Sequence, residues 1–522
     1  MTDPPGPRLR AGAAAVSIRP ESPQPMIGFV RRQERASGEG LPLEATALVL
    51  ADADTRVVLC GVDVIGLPIE MADRLRDRIA AAVGGDPAGV VLNCNHTHDA
   101  PPPARSLLDR SGLLATFGDE SLDQYERLLE ARLVEVCARA AGALEPAAVA
   151  WGTGTADISV SRRERDDSGR IVHGWNPDGL LDQQVIALQA QRPDESPVAT
   201  VIGFGCHPVA VGMDVPFYSA DYPGAAREAV RARLGGEAVF LQGAAGNVLP
   251  RVSFCGDERE AVRMGNRLAL EAAHALADRP AWATRYVREG DASLIPMSLF
   301  RRKLEQPEAP ALAAAEERVR FPLGPVPTEA ELEELVTEYE GELAAAEDRG
   351  AGKAETCGIA YHAKWAQNTL AAVRDGTAET EIEAPMQALR IGEGAVVTVP
   401  GELFTEIGWA IKERSPAVPT VVSAYSNGTV GYFPTPEAYS EGGYEPAYSN
   451  RSYGTPATPA PSCAELIART AVRLLERLFP ERPAFEGDDW TPAGPLPTLA
   501  PIAPERPPEH DYSTPATVTP PG

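Results

Sequence analysis

Histidine is scarce in this sequence, and paired cysteine motifs are missing. Only 7 of the 522 residues are histidine, and the 7 cysteines include no CxxC pair. An odd number of cysteines without such spacing argues against a disulfide framework. We therefore expect reduced and mostly buried thiols, as in a cytoplasmic protein.

Long apolar runs and an excess of positive charge are also lacking. No stretch is long and apolar enough to span a bilayer, and the N-terminal MTDPPGPRLRAGAAAVSIRP lacks the apolar core of a secretory signal. Acidic residues outnumber basic ones by 74 to 48, which gives a net charge of −26. Because such a surface repels phosphates and anionic lipids, we expect neither a nucleic-acid partner nor stable membrane association.

The apolar pattern predicts an α/β fold in which a mixed β-sheet core is flanked by helices. Short apolar runs bounded by turn residues indicate buried strands, and longer stretches with apolar residues every three or four positions indicate helices. The clearest strands are TALVLA (46–51), VVLCGVDVI (57–65), VVLNC (90–94), VATVIGFGC (198–206) and AVFLQG (238–243). The clearest helices are 71–83, 120–142, 223–234, 257–277, 403–413 and 463–479.

The composition changes twice along the chain. Residues 303–376 are rich in Ala, Glu and Leu, which predicts a helical insertion of two or three helices around the turn PLGPVPT. Residues 481–522 are dominated by Pro, Ala and Thr, a composition typical of an extended or disordered tail. We therefore expect one catalytic domain over residues 1–480, followed by this tail.

Three histidines follow apolar strands. His96 and His98 lie in NHTHD directly after VVLNC, and His207 follows VIGFGC. In an extended chain, residues i and i+2 point to the same side, so His96 and His98 could face one site. The H-x-H pattern alone is equally compatible with two hydrogen-bonded loop histidines. A third histidine at the end of another strand favours a shared site, because active sites concentrate there.

Glu402 and two tyrosines complete the candidate set. Glu402 lies in VVTVPGELF, where a strand, a Pro-Gly turn and a helix follow one another. A carboxylate at this position could bind a metal, or could simply interact with the positive end of the helix dipole. Tyr432 and Tyr444 lie in a loop, 425–454, that is rich in Tyr, Gly, Ser, Asn and Pro. Loops of this composition also occur as surface decoration.

Taken in order, these segments resemble the catalytic domain of the neutral/alkaline non-lysosomal ceramidase family, over about residues 10–480. The separation of Tyr432 from Tyr444, twelve residues, is similar to that of the two functional tyrosines of the family. Each motif is short, but the shared order over most of the chain is specific. The matching segments are MIGF (26–29), NHTHDAP (95–101), GFGCHPV (203–209), SADYPG (219–224), QGAAGNVLP (242–250) and PGELF (400–404).

The resemblance implies a zinc site and a set of catalytic residues. Zinc would be held by His96, His207, Glu402 and Tyr432. His98 and Tyr444 would act on the substrate together with an arginine, either Arg162 or its neighbour Arg163. Two imidazoles and a carboxylate suit zinc better than magnesium or calcium. Because glutamate and tyrosinate would together cancel the charge of the zinc ion, Tyr432 is expected to be a long or partly protonated ligand.

The sequence also departs from the family. Leu249 stands where the family carries a serine, Asp99 replaces the serine after H-T-H, and a Pro-rich tail follows in place of a β-rich C-terminal domain. The expected function is therefore a zinc-dependent hydrolase that cleaves the amide bond of a small soluble N-acyl substrate. The alternatives are an ester or lactone hydrolase, an acyl-transfer or cyclisation enzyme of a biosynthetic pathway, a genuine ceramidase and a non-catalytic binding protein.

Overall fold

The computed structural model describes residues 9–30, 32, 34–111, 120–291, 298–305 and 310–482. The strands are β1 (Arg10–Ser17), β2 (Gly38–Glu39), β3 (Glu44–Ala51), β4 (Arg56–Val62), β5 (Val90–Cys94), β6 (Glu145–Pro146), β7 (Ala148–Thr155), β8 (Ser159–Arg165), β9 (Ile171–Asn176), β10 (Gln184–Gln191), β11 (Pro197–Phe204), β12 (Phe217–Tyr218), β13 (Glu237–Gln242), β14 (Val248–Pro250), β15 (Ala283–Asp291), β16 (Ser298–Glu305), β17 (Leu312–Pro322), β18 (Glu381–Ile391), β19 (Gly394–Thr398), β20 (Glu402–Leu403), β21 (Thr420–Ser423) and β22 (Tyr432–Phe433). The helices are α1 (Ile69–Val83), α2 (Arg105–Ser111), α3 (Glu120–Gly142), α4 (Asp221–Leu234), α5 (Arg259–Ala277), α6 (Glu329–Asp348), α7 (Lys353–Arg374), α8 (Thr405–Arg414), α9 (Pro436–Glu441), α10 (Tyr444–Ala447), α11 (Asn450–Tyr453) and α12 (Cys463–Leu478).

Three mixed sheets contain the strands β5, β11 and β19, which His96, His207 and Glu402 follow in the chain. Their strand orders are β5-β4-β3-β1-β6, β13-β11-β10-β7 and β17-β18-β19-β21. Each sheet contains one parallel pair, which is β4 with β5, β11 with β13, and β19 with β21. The expected α/β fold with a mixed-sheet core is therefore confirmed, and the predicted strands and helices outside 303–376 are present to within a few residues.

Strands β3, β4, β5 and β11 are buried on both faces, which explains their continuous apolar runs in the sequence. In β3 seven of the eight residues are buried, as expected where helices or other sheets cover each face. Helix α3 packs against β1 and β3, and α5 packs against β7 and β10. Helix α12 places Ile467, Leu474 and Leu475 against β17 and β18.

The ends of the three parallel pairs converge through buried amides. Asn93 in β5 donates through Nδ2 to the Gln242 carbonyl at 3.2 Å and to the Ala424 carbonyl at 2.7 Å. Gln242 in turn donates through Nε2 to the Asn95 and Cys206 carbonyls, both at 2.8 Å. Because these bonds join the segments that follow β5, β11, β13 and β21, the loops after those strands are held at one place in the molecule.

The prediction of helices over 303–376 is wrong in its first part. Residues 312–322 form the strand β17, which pairs antiparallel with β18 along its whole length. Leu312, Ala315 and Phe321 are buried there, so the strand is stabilised by packing that outweighs the helix propensity of an Ala- and Glu-rich segment. The helices begin only at α6, where Thr328 and Glu331 form a capping box, and continue in α7.

The other expectations about the chain have mixed outcomes. The seven cysteines are free thiols, and five of them are buried, as expected. Within the described ranges, no helix combines the length and the apolar character needed to cross a lipid bilayer. Apart from residues 481 and 482, the predicted tail over 481–522 lies outside the described residues.

Candidate metal centre

His96 reaches the centre from the loop after β5. Its backbone has a φ of 71°, so the chain is not extended here, and the alternation expected from the H-x-H pattern is not what brings the two rings together. The rings of His96 and His98 nevertheless lie with centroids 5.0 Å apart. His96 Nδ1 lies 2.5 Å from the Ile65 carbonyl. A carbonyl only accepts, so this nitrogen carries the proton and Nε2 points into the centre with its lone pair.

His207 enters from the loop after β11 in the same manner. Its Nδ1 donates to the Ala245 carbonyl at 2.7 Å, and its backbone N–H donates to the Val248 carbonyl at 3.0 Å. Burial lowers the pKa of His207 to about 4, with the nearby Arg162 cation acting in the same direction. The ring is therefore neutral at pH 7 and also turns the lone pair of Nε2 toward the centre.

Glu402 approaches from the third sheet. After β19, the turn Pro400–Gly401 leads into β20, and Glu402 pairs in register with Tyr432 of β22. Glu402 therefore precedes α8 and is not in its first turn. Gly246 allows this approach, because a Cβ on it would lie 2.6 Å from the Glu402 carbonyl oxygen. Burial opposes ionisation of the carboxyl, but His96 and His207 outweigh it and hold the pKa of Glu402 well below its usual range.

The three groups fit a metal ion. Glu402 Oε2 lies 3.3 Å from His96 Nε2 and 3.2 Å from His207 Nε2. In a tetrahedral zinc site with bonds of about 2.0–2.1 Å, ligand atoms lie about 3.3 Å apart. When both imidazoles are neutral, their Nε2 atoms and the carboxylate oxygen present lone pairs to one another, and a cation between them, either a proton or a metal ion, relieves the repulsion. The backbone carbonyls on both Nδ1 atoms fix the tautomers as in known metal sites.

His98 lies beside these groups without sharing their hydrogen bonds. Neither of its ring nitrogens has a partner among the described residues, although both are shielded from solvent. Burial, followed by the neighbouring histidines, lowers the pKa of His98 well below its usual range. The ligand atoms of His96, His98 and His207 all lie within 4.8 Å of one another, so a three-histidine metal site is also geometrically possible.

Tyr432 and Arg162 form the opposite wall. Arg162 Nη2 donates to the Tyr432 hydroxyl at 3.0 Å, and Nη1 lies 3.4 Å from His207 Nε2. Burial raises the pKa of Tyr432 well above its usual range although Arg162 opposes this, so the neutral phenol is favoured. Arg163 instead binds Glu445 and the Gly442 carbonyl. Of the two adjacent arginines, Arg162 is the one whose guanidinium reaches the centre.

Tyr444 lies next to Tyr432, with ring centroids 5.6 Å apart. Its hydroxyl is 3.2 Å from Ser452 Oγ, and burial raises the pKa of Tyr444 to about 12. Both tyrosines and His98 line two adjoining cavities, so a molecule in either cavity meets the same groups. The structure thus brings together all the candidate residues from the sequence, namely His96, His98, Arg162, His207, Glu402, Tyr432 and Tyr444.

Three further residues form hydrogen bonds that hold Glu402 and Arg162 in place, although nothing in the sequence marked them as candidates. Tyr425 donates to Glu402 Oε2 at 3.2 Å, and Tyr453 donates to Glu402 Oε1. Glu445 accepts from Arg162 Nε at 2.7 Å and is fully buried. All three lie in the Tyr-rich loop 425–454, whose composition was the only signal available.

Comparisons with known proteins identify the fold. No family model matches the sequence, and neither does any curated protein. The fold is similar to the crystal structure of neutral ceramidase from Pseudomonas aeruginosa, with a TM-score of 0.60 and 18% identity over 94% of this chain and 77% of that one. A structure of ceramidase complexed with C2 gives a TM-score of 0.60 and 17% identity, over 93% and 77% of the two chains.

The chain therefore has a neutral-ceramidase-like α/β fold, as the resemblance of its motifs implied. At 17–18% identity this likeness concerns the fold. What the centre does is inferred below from the chemistry of its own residues.

Proposed function

We propose that this chain is a zinc-dependent hydrolase that cleaves the amide bond of an N-acyl substrate. The observation that carries the proposal is the convergence of His96 Nε2, His207 Nε2 and Glu402 Oε2, with both imidazole tautomers fixed by backbone carbonyls. The likeness to ceramidase structures supports an amide as the scissile bond, because ceramide is an amide.

His96, His207 and Glu402 would hold the metal, with Tyr432 as the proposed fourth ligand. Two imidazoles with a carboxylate suit zinc, whereas magnesium and calcium prefer a shell made of oxygen atoms. When bound, zinc supplies Lewis-acid chemistry that polarises the amide carbonyl and activates water. Tyr425 and Tyr453 would keep the Glu402 carboxylate in the orientation that this role needs.

His98 is proposed as the group that moves the proton. It is neutral because burial lowers its pKa, and its nitrogens are unpartnered among the described residues, so it can accept a proton from water. The water oxygen joins the acyl carbon, the C–N bond breaks, and His98 returns the proton to the leaving nitrogen.

Tyr444 and Arg162 are proposed to bind the carbonyl oxygen as negative charge develops on it. Glu445 holds Arg162 through Nε, and Ser452 positions the Tyr444 hydroxyl. Donors that are fixed before the reaction stabilise the developing charge without reorganising, a contribution of about 3–4 kcal/mol per donor in other enzymes.

The cavity beside His96 and Glu402 refines the expected substrate. Its other walls are largely apolar and include Ile27, Leu107 and Tyr361. Tyr361 comes from α7, so the helices after β17 contribute to the substrate cavity. Apolar walls favour a hydrocarbon acyl group over the small polar acyl groups that a soluble amide could also carry.

The test is a panel of matched amides and esters of increasing acyl length, assayed with the zinc-loaded protein. We expect the amides to be cleaved, with kcat/KM rising with the number of acyl carbons. Ceramide in detergent micelles belongs in the same panel, because a clear preference for it would identify the substrate as ceramide itself. Cleavage of esters alone would contradict the proposal.

A further inference from the structure

Two cavities of different size meet at the metal centre. The narrower, of about 100 Å³, includes His96 and Glu402, and the wider, of about 550 Å³, includes Arg162 and His207. His98 lines both. An amide has one substituent on carbon and another on nitrogen. With the scissile bond at the junction, each substituent therefore has its own cavity.

The narrower cavity suits an unbranched chain. Among its described lining residues Glu402 is the one that carries a charge, and aliphatic side chains supply much of the wall, including Ile27, Val30, Ile65 and Leu107. Charged groups on the substrate would lose their hydration here without gaining a partner. The acyl chain therefore fits this side.

The wider cavity has an apolar floor and aromatic sides. Val160, Val209 and Leu249 are buried and pack together as the floor. Three aromatic side chains pack against that floor and line the same cavity, namely Phe29, Trp175 and Phe254. The rings of Phe29 and Phe254 meet edge to face with centroids 6.0 Å apart. A flat ring on the substrate would extend this aromatic packing, whereas a single chain would leave much of the space unfilled.

Charged groups line the wider side, and both arginines among them are paired with carboxylates. Arg162 is held by Glu445 at 2.7 Å, and Arg251 is paired with Asp157. Glu164 also lines this cavity and accepts from the Trp175 backbone N–H at 2.6 Å. After cleavage the amine takes up a proton and becomes a cation, which aromatic faces and a carboxylate stabilise.

We propose that the wider cavity binds the amine half of the substrate and that this half carries a ring. The substrate class is then the N-acyl derivatives of ring-bearing amines, with the hydrocarbon acyl chain in the narrower cavity. This inference rests on the proposed amide hydrolysis, since it assigns the two halves of that substrate.

A pair of isomeric amides tests the assignment. N-phenethylhexanamide carries the ring on nitrogen and the chain on the acyl carbon, and N-pentyl-phenylpropanamide reverses them. We expect kcat/KM to be at least about 10-fold higher for N-phenethylhexanamide. Phe254→Ala should reduce this advantage by about 3–10-fold, the effect of losing one aromatic contact. Phe300→Ala, at an exposed position outside both cavities, should leave it unchanged. Equal rates for the isomers, or a ratio unaffected by Phe254→Ala, would overturn the inference.

Binding of free phenethylamine separates this inference from the proposed function. We expect calorimetry to show that the zinc-loaded protein binds phenethylamine more tightly than pentylamine, and that Phe254→Ala removes the difference. If the amine binds in this way but no amide is cleaved, the cavity assignment stands and the hydrolase proposal fails. If amides are cleaved but the two amines bind equally, the assignment fails. Trp175→Leu provides a second test of the ring contact should Phe254→Ala not fold.

Discussion

Replacing His207 and His98 in turn separates metal binding from proton transfer. His207→Ala removes one of the two nitrogens that face Glu402 Oε2, at 3.2 Å, and leaves two of the three converging donors. His98→Ala leaves all three. We therefore expect His207→Ala to lose zinc and His98→Ala to keep it while losing activity.

The expected sizes of the two effects, on zinc affinity and on kcat, follow from the proposed role of each histidine. Loss of a group that merely supports a ligand costs about 10–100-fold in metal affinity, so loss of the ligand itself should cost at least about 100-fold. That is roughly 2.7 kcal/mol, enough to empty the site after dialysis against a weak chelator. For His98→Ala, removing proton transfer should lower kcat by about 10²–10⁴-fold with zinc near one per chain.

The assay is metal analysis by mass spectrometry on dialysed protein, paired with amide hydrolysis. His274→Ala is the matched control, because this histidine is exposed on α5. If His207→Ala retains a full zinc ion, His207 is not a ligand. If His98→Ala loses its zinc, the three-histidine site is the correct one and His98 is a ligand and not the proton carrier.

Three further predictions concern the surroundings of the centre. Gly28 has a φ of 111°, and a Cβ on it would lie 2.6 Å from the ring of His98, the proposed proton carrier. Gly28→Ala should therefore lower kcat about 100-fold with zinc retained, whereas Gly341→Ala, in open space on α6, should have no effect. Tyr453→Phe removes a hydrogen bond from Glu402, the proposed carboxylate ligand, and should weaken zinc binding about 10–100-fold, as measured by competition with a chelator. Tyr448→Phe, at an exposed position, should leave zinc binding unchanged. Burial raises the pKa of Asp221 to about 7. The protonated carboxyl therefore favours the folded state at low pH, and this contribution to the free energy of unfolding is lost as the pH rises from about 4 to about 7. Asp221→Asn should therefore flatten the fall in melting temperature between about pH 4 and pH 7. An unchanged slope relative to the parent protein would count against this pKa.

The strand ends could be predicted from sequence because they depend on local pattern. His96 and His207 each follow a run of apolar residues that is buried on both faces. Such a run is predicted to be a strand whatever the order of the strands in the sheet. The prediction that His96 and His98 face one site because they alternate along an extended strand was wrong in its reason. The backbone of His96 is left-handed and not extended. The sequence pattern predicted that both histidines lie at strand ends, but only the three-dimensional fold shows how their side chains are oriented.

The supporting residues could not be predicted, because their roles depend on contacts between distant segments. Glu445 binds Arg162, which is 283 positions earlier in the chain, and Tyr453 binds Glu402 across 51 positions. Nothing in the Tyr-rich loop distinguishes these residues from their neighbours. The strand β17 shows the same limit, since its pairing with β18 overrides a composition that favours helix.

The proposed metal ligands and the outer walls of the two cavities come from different parts of the chain. His96 and His207 follow strands whose ends are tied together by buried amides, and Glu402 follows β19, which pairs with the tied strand β21. The positions of all three residues therefore depend on the core. Leu249 lies within β14 and Phe254 in the loop after it, and both are apolar side chains that line the wider cavity. Under the two proposals, a change at Leu249 should therefore alter which amine fits while zinc binding stays the same. Substrate choice could then change through the residues of the wider cavity without any change in His96, His207 or Glu402.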